Sequence, residues 1–124
     1  MIKVVKEFTF DAAHFLPNYD GPCCNMHGHT YKLQIGLAGE VGADGFVVDF
    51  SYLKKIVDMF IIKEVDHQLL NEIIGQDFPA ENPTAENMVL WIVKRMVPFT
   101  GESGVNLVLV RLWETPTSYA EWTA

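Results

Sequence analysis

This chain lacks long apolar runs and cysteines that could pair at a distance. No apolar stretch reaches the roughly 18 residues that cross a bilayer, and residues 1–7 lack the uninterrupted apolar centre of a signal peptide. The only two cysteines, Cys23 and Cys24, are neighbours, which excludes a disulfide framework within one chain. We therefore expect a cytoplasmic protein that is not inserted into a membrane.

Positive charge is also scarce. Nine Lys and Arg residues stand against sixteen Asp and Glu residues, which gives a formal net charge of −7. The resulting field repels phosphate backbones and anionic lipids. We therefore expect no nucleic-acid partner and no membrane partner, and an anionic substrate would have to meet local cations.

The length and the apolar content bound the architecture. The 124 residues fit a single domain, residues 1–124, because a chain of this size does not divide into two cores. Hydrophobic residues make up 49% of the sequence and the mean hydropathy is +0.12, which is high for a body with so much surface. Part of this apolar area is expected to face another subunit.

Alternating and continuous apolar patterns predict the strands. Residues 2–14 and residues 29–37 alternate apolar and polar side chains with a period of two. The short apolar stretch 46–48, after a glycine-rich turn, predicts the return limb of a hairpin. The nearly continuous apolar segment 105–113 predicts a strand covered on both faces, and residues 118–122 form a last short segment.

Two further stretches carry apolar residues at the spacing of one helix face. The first runs from Leu53 to Ile61 and should begin near Asp49 or Ser51, whereas the second follows Thr84, which suits a helix N-cap. The order ββααββ predicts an α+β fold in which one antiparallel sheet carries both helices on a single face.

Three of the four histidines are expected to share one face. His27-Gly28-His29 places two imidazoles at i and i+2, on the same side of a strand, and His14 lies on the apolar face of the first strand. If the two strands pair, three buried rings converge and need a common partner. Zinc satisfies all three, and three nitrogen ligands with a vacant fourth position are typical of catalytic zinc.

The two thiols leave several interpretations open. A cysteine on the loop before the histidines would have its pKa lowered by the zinc charge, and it could act as a base. Alternatively, Cys23 or Cys24 fills the fourth coordination position and makes a structural zinc in a non-catalytic protein. A third interpretation is that both thiols are inert small apolar side chains.

Three other polar residues are candidates of lower specificity. Asp66 stands beside His67, where a carboxylate can fix the imidazole tautomer and raise its basicity, although such a pair is also common at a solvated corner. Glu114 ends the long apolar strand. There it is either a solvated terminus or an acceptor for the N–H groups of a bound molecule.

Four motifs together resemble the 6-pyruvoyltetrahydropterin synthase family. They are Phe10-Asp11-Ala12-Ala13-His14, Cys23-Cys24-Asn25-Met26-His27-Gly28-His29, Val65-Asp66-His67-Gln68-Leu69-Leu70-Asn71 and Trp113-Glu114-Thr115. The combination is specific and spans nearly the whole chain. The short length resembles the bacterial branch, 6-carboxytetrahydropterin synthase of queuosine biosynthesis.

The resemblance implies a T-fold subunit with a four-stranded antiparallel sheet and two helices, assembled into a hexamer of two trimers. It implies that the three histidines hold Zn²⁺ and that Cys23 is the proton acceptor. Asp66 and His67 would support that proton movement from a neighbouring subunit. Glu114 would bind the edge of the pterin ring and join the proton relay.

The resemblance also implies a lyase that acts on 7,8-dihydroneopterin triphosphate. The bacterial branch forms 6-carboxytetrahydropterin, acetaldehyde and triphosphate, whereas the sister branch eliminates triphosphate and keeps a pyruvoyl group. One position departs from the family, in which a basic residue often follows the first zinc histidine. Here Phe15-Leu16 follows His14, which leaves Lys32 and Lys54 as candidates for the triphosphate contacts.

Overall fold

The chain folds into a sheet and four helices in the computed structural model, which describes residues 1–74, 77, 82–101 and 104–124. The strands are Ile2–His14 (β1), His27–Gly39 (β2), Gln68–Leu69 (β3), Asn106–Thr115 (β4) and Ser118–Thr123 (β5). The helices are Phe50–Val57 (α1), Lys63–Val65 (α2), Leu70–Ile73 (α3) and Ala85–Met96 (α4). A π-helical turn, Asp58–Ile62, connects α1 to α2.

The sheet has the strand order β3-β1-β2-β4-β5. Its four long strands are antiparallel, as predicted, and the α+β class is confirmed. The fifth strand, β3, was not predicted. It pairs parallel to β1 at Ala12 and Ala13, and two residues are too few to show a periodicity in the sequence.

The predicted return strand at residues 46–48 is wrong. This segment is a loop, closed by hydrogen bonds from the Gly42 amide to the Phe46 carbonyl and from the Gly45 amide to the Gly42 carbonyl, at 2.8 and 2.9 Å. The Phe46 amide also donates to the Asp44 carboxylate at 3.1 Å. These local turn bonds occupy the backbone groups that a hairpin partner would need.

The starts of both long helices agree with the sequence. The Asp49 side chain accepts a hydrogen bond from the Ser51 amide at the start of α1. Thr84 does the same for the Asn87 amide at the start of α4. Because each side chain satisfies an amide that has no partner within the helix, these residues fix where α1 and α4 begin.

One face of the sheet carries the core, and the helices cover it. Phe8 lies opposite Leu33 and Phe10 opposite Tyr31, and all four side chains are buried together with apolar residues of α1 and α4. Both long helices therefore lie on a single face, as predicted, and the single domain 1–124 stays a prediction. Among the residues described, no helix is long and apolar enough to cross a bilayer.

Candidate metal centre and active site

The end of β1 and the start of β2 bring three histidines together. In the antiparallel register His14 pairs with His27, and Ala12 pairs with His29. Directly opposed side chains lie on the same face of a sheet, as do side chains two residues apart on one strand. The ring centroids are accordingly 4.6 Å apart for His14 and His27, 5.1 Å for His14 and His29, and 4.8 Å for His27 and His29.

Backbone carbonyls set the tautomers of two of these rings. His14 Nδ1 lies 2.9 Å from the Pro83 carbonyl oxygen, and His27 Nδ1 lies 2.7 Å from the Asn25 carbonyl oxygen. A carbonyl can only accept, so each Nδ1 carries the proton and donates it. In the neutral rings the Nε2 atoms then hold lone pairs, and these two atoms are only 3.0 Å apart.

A carboxylate completes the cluster. Glu114 Oε1 lies 3.1 Å from His14 Nε2 and 3.3 Å from His29 Nε2. His29 Nε2 is buried and makes no hydrogen bond. One ligand atom from each of His14, His27, His29 and Glu114 lies within 4.8 Å of the others.

Such a cluster calls for a cation. A single proton can form a hydrogen bond between only two of these atoms. The lone pairs of the other atoms would still face each other at short range. A metal ion accepts a lone pair from each atom at once, and imidazole nitrogen with carboxylate oxygen is a donor set that suits zinc. The residues present therefore fit a metal ion.

Two protonation equilibria are consistent with this reading. Burial lowers the pKa of His29, although the nearby Glu114 charge opposes the shift. The adjacent His14 ring lowers the pKa of Glu114, against the effect of burial. His29 is thus neutral and Glu114 is anionic near neutral pH, which are the states that a metal requires of these groups.

The cysteines lie outside this cluster. Both belong to a short 3₁₀ turn, Pro22–Cys24, in which Cys23 is half-buried and Cys24 is exposed. The Cys23 carbonyl accepts a hydrogen bond from the Leu16 amide at 2.8 Å, which ties this loop to the end of β1. The fourth ligand-type atom beside the histidines is therefore a Glu114 oxygen and not a thiol.

Asp66 and His67 form a second polar group just after α2. Asp66 Oδ1 accepts hydrogen bonds from the Asp11 amide and from His67 Nδ1, each at 3.0 Å. The Asp11 amide is also the main cause of a lowered pKa at Asp66. His67 adopts a φ of +60°, and its amide donates to the Asp11 carbonyl at 2.6 Å. Asp66 thereby orients the imidazole of His67, and this side chain is 76% exposed.

The structure separates the two lysines that were candidates for the triphosphate contacts. Lys32 lines a cavity of about 520 Å³ together with His29, Trp113 and Glu114, and its Nζ lies 4.6 Å from the centroid of the Trp113 ring. Lys54 lies on the surface of α1 and pairs with Asp58 at 2.5 Å. Only Lys32 shares a cavity with residues of the histidine cluster.

Sequence reasoning missed the backbone groups that support the site. The carbonyls of Pro83 and Asn25 and the amide of Asp11 carry no signal in a side-chain pattern. Thr84 was interpreted only as a helix N-cap, yet the carbonyl of the preceding residue, Pro83, accepts a hydrogen bond from a ring 69 positions away in sequence. Glu114 was a candidate, but its contact with two imidazoles was not foreseen.

Comparisons with known proteins place the whole chain in one family. The family model for 6-pyruvoyl tetrahydropterin synthase matches residues 3–124. A Haemophilus influenzae protein named 6-carboxy-5,6,7,8-tetrahydropterin synthase is 37% identical over 142 residues, with 98% of this chain and 99% of that protein covered. A Pyrococcus furiosus protein named dihydroneopterin monophosphate aldolase is 38% identical over 112 residues, with 90% and 89% covered.

A solved structure agrees. The 6-pyruvoyl tetrahydropterin synthase of Caenorhabditis elegans superposes with a TM-score of 0.84 at 27% identity, and the match covers 99% of this chain and 95% of that one. This similarity confirms the T-fold that the motifs implied. With a family model matching nearly every residue, the chain belongs to the 6-pyruvoyl tetrahydropterin synthase family.

Proposed function

We propose that this protein is a zinc-dependent 6-carboxy-5,6,7,8-tetrahydropterin synthase. It converts 7,8-dihydroneopterin triphosphate into 6-carboxytetrahydropterin, acetaldehyde and triphosphate, a step of queuosine biosynthesis. The observation that carries the proposal is the convergence of His14, His27 and His29 on one point of the sheet. The end-to-end similarity to the Haemophilus influenzae protein of that name supports the choice of reaction.

The residues of the site divide the work. His14, His27 and His29 would hold the zinc through their Nε2 atoms. The carbonyls of Pro83 and Asn25 keep the rings of His14 and His27 in the tautomer that binds metal. Zinc, when bound, supplies Lewis acidity that weakens the C–H bonds next to the side-chain oxygens of the substrate. The Cys23 thiolate accepts a proton from carbon at its Sγ atom.

His67 and Asp66 form the second half of the proton path. Asp66 holds His67 through Nδ1, so Nε2 of this exposed ring is free to exchange a proton with a group of a neighbouring subunit. We propose a hexamer, a dimer of trimers, in which this exchange occurs between chains. Among the described residues two sheet edges are open, because β3 covers only Ala12 and Ala13 of β1 and β5 ends the sheet, and this supports the proposal. We also propose the cytosol as its compartment, where adjacent free thiols remain reduced.

An assay of products tests the reaction. Zinc-loaded protein is incubated with 7,8-dihydroneopterin triphosphate, and acetaldehyde and triphosphate are both measured. We expect the two in equal amounts. Triphosphate without acetaldehyde would instead assign the 6-pyruvoyl branch, and faster turnover of dihydroneopterin monophosphate would favour the activity stated in the Pyrococcus furiosus name.

The competing interpretation was a structural zinc held by three histidines and one cysteine. The geometry disfavours this interpretation, because neither the Cys23 thiol nor the Cys24 thiol belongs to the cluster of histidines and Glu114. X-ray absorption at the zinc edge provides the test. Sulfur at about 2.3 Å in the resting metal shell would support the structural reading, whereas a shell of only nitrogen and oxygen at about 2.0–2.2 Å supports the catalytic one.

A further inference from the structure

We propose that Glu114 is the fourth metal ligand of the substrate-free protein and that it leaves the metal when the pterin ring binds. The first half concerns only the residues of this chain and a metal ion. The second half rests on the proposed function, because it takes the pterin ring as the group that draws Glu114 away.

The distances support a ligand role. Metal bonds of about 2.0–2.2 Å in a tetrahedral site place neighbouring ligand atoms roughly 3.3–3.6 Å apart. Glu114 Oε1 lies 3.1 Å from His14 Nε2 and 3.3 Å from His29 Nε2, close to this spacing and to the 3.0 Å between His14 Nε2 and His27 Nε2. The carboxylate oxygen is thus spaced from two of the ring nitrogens as one metal ligand is from another.

A simple ion pair explains the arrangement less well. Because His14 Nδ1 already donates to the Pro83 carbonyl, a proton on its Nε2 would make the ring cationic. That proton would serve Glu114 or His27 but not both, and His29 Nε2 would still face the carboxylate without a hydrogen bond. A metal ion accounts for every one of these contacts.

Glu114 is also free to leave the metal. Backbone carbonyls clamp His14 and His27, whereas Glu114 makes no hydrogen bond to a backbone group within the described part of the chain. Its side chain is 29% exposed, against 1% for His14. It lines both the 520 Å³ cavity and a smaller one of about 110 Å³ beside Glu86 and Tyr119, so it has space to move into.

Exchange of this ligand couples metal binding to pterin binding. A substrate with side-chain oxygens replaces the carboxylate on the metal as Glu114 turns to the N–H edge of the ring. 6-Methylpterin is a pterin that lacks such oxygens. It draws Glu114 away from the metal without supplying a ligand atom to replace the carboxylate. Linkage then requires that 6-methylpterin and the metal weaken each other's binding by the same factor.

The ligand role is tested by metal titration. Metal-free wild-type protein, Glu114→Gln and the control Glu86→Gln are titrated with Co²⁺, and the visible absorption of the bound ion is recorded. We expect Glu114→Gln to bind Co²⁺ at least about tenfold more weakly, since loss of even an outer partner costs that much, and to show a changed spectrum. Glu86→Gln should match the wild type, and equal thermal unfolding of the metal-free proteins checks the fold. A Glu114→Gln variant with wild-type affinity and spectrum would overturn the proposal.

The exchange is tested by repeating the titration with saturating 6-methylpterin. Wild-type affinity for Co²⁺ should fall, and the affinity of the control Glu86→Gln should fall by the same factor. A wild-type affinity that stays constant while 6-methylpterin is bound would overturn the exchange. Failure of 6-methylpterin to bind would overturn both the exchange and the proposed pterin substrate, and the first titration decides the ligand role independently of either result.

Discussion

At the scale of single residues, the adjacent thiols of Cys23 and Cys24 can be told apart by experiment. We expect Cys23→Ala to keep its metal and to lose at least about 100-fold in turnover, as loss of a positioned base does. Cys24→Ala should retain turnover near the wild-type level, because this side chain is exposed and Cys23 is half-buried. Metal content and acetaldehyde formation are measured on both variants.

His27→Ala is the matching control, since it removes a metal-binding nitrogen and should lose metal and turnover together. An inactive Cys24→Ala beside an active Cys23→Ala would transfer the role of base to the second thiol. Loss of metal from Cys23→Ala would revive the interpretation in which a cysteine binds zinc.

The alternation of side chains along the strands predicted that the histidines lie close together, but it did not predict the backbone groups that contact their rings. His14 and His29 fall on predicted apolar faces, so the pairing of β1 with β2 was sufficient to bring them together. The Pro83 carbonyl reaches His14 only because α4 packs against the same face of the sheet. That contact depends on tertiary packing, which a period of two or of 3.6 does not encode.

At the scale of elements, β2 and β4 approach each other closely where their register shifts. The register shifts between Gly36 and Leu37, and a Cβ atom on Gly36 would lie 2.8 Å from the Cβ of Leu109. That atom is fixed to the backbone of β4 and cannot rotate away. We expect Gly36→Ala to lower the free energy of unfolding by about 1–3 kcal/mol through overpacking, as measured by urea denaturation.

Gly28→Ala is the matched control on the same strand. Its new Cβ would meet only the Ala12 carbonyl oxygen at 3.6 Å, an ordinary contact, so the free energy of unfolding should change by less than about 1 kcal/mol. Equal stability of the two variants would show that β4 shifts to make room at Gly36.

The junction of β1 and β3 should give the protein an acid-sensitive component of stability. The Asp11 amide, with a smaller contribution from His67, lowers the pKa of Asp66 below its ordinary value of 3.8. A lowered folded-state pKa means that the stabilisation is complete above the ordinary value and is lost as the pH falls through the folded value. Asp66→Asn keeps an acceptor for the Asp11 amide but does not titrate.

We therefore expect the free energy of unfolding of the metal-free wild type to fall more steeply than that of Asp66→Asn between about pH 5 and pH 3. Urea denaturation across this range provides the measurement, and Asp20→Asn on an exposed loop controls for the loss of one carboxylate. Parallel curves for wild type and Asp66→Asn would contradict this account of the junction.

Long elements were predictable and short ones were not, for reasons of length. β1 and β2 have 13 residues each, enough to show an alternating pattern, and the caps Asp49 and Thr84 mark the two long helices. The two-residue strand β3 has no pattern of its own, and it exists because the chain after Asp66 is held against β1 by the Asp11 backbone. Local sequence therefore left the fifth strand unspecified.

At the scale of the whole molecule, several large apolar side chains are exposed, and the composition led us to expect that part of such a surface faces another subunit. Large side chains about half exposed include Phe46, Phe50, Tyr52, Met59 and Leu90. The outer edge of β1 before Ala12 has no partner strand within the described residues, and β5 leaves a second edge open. Unpaired edges and apolar patches are the features that a symmetric assembly covers.

Mixed oligomers test whether one active site takes residues from two chains. If Cys23 comes from one subunit and His67 from its neighbour, a random 1:1 assembly of Cys23→Ala with His67→Asn contains intact sites in about one case in four, since each of two positions is intact half of the time. Asn is chosen because His67 has a φ of +60°, a backbone conformation that Asn tolerates.

The two inactive variants, co-expressed with different tags and purified through both, should recover about a quarter of wild-type turnover. The same mixture made with a Cys23→Ala/His67→Asn double variant in place of His67→Asn has no chain with an intact Cys23 and should stay inactive. If the first mixture were as inactive as the second, Cys23 and His67 would have to act within one chain. The exposed His67 side chain would then exchange its proton with a group other than the thiol of a neighbouring subunit.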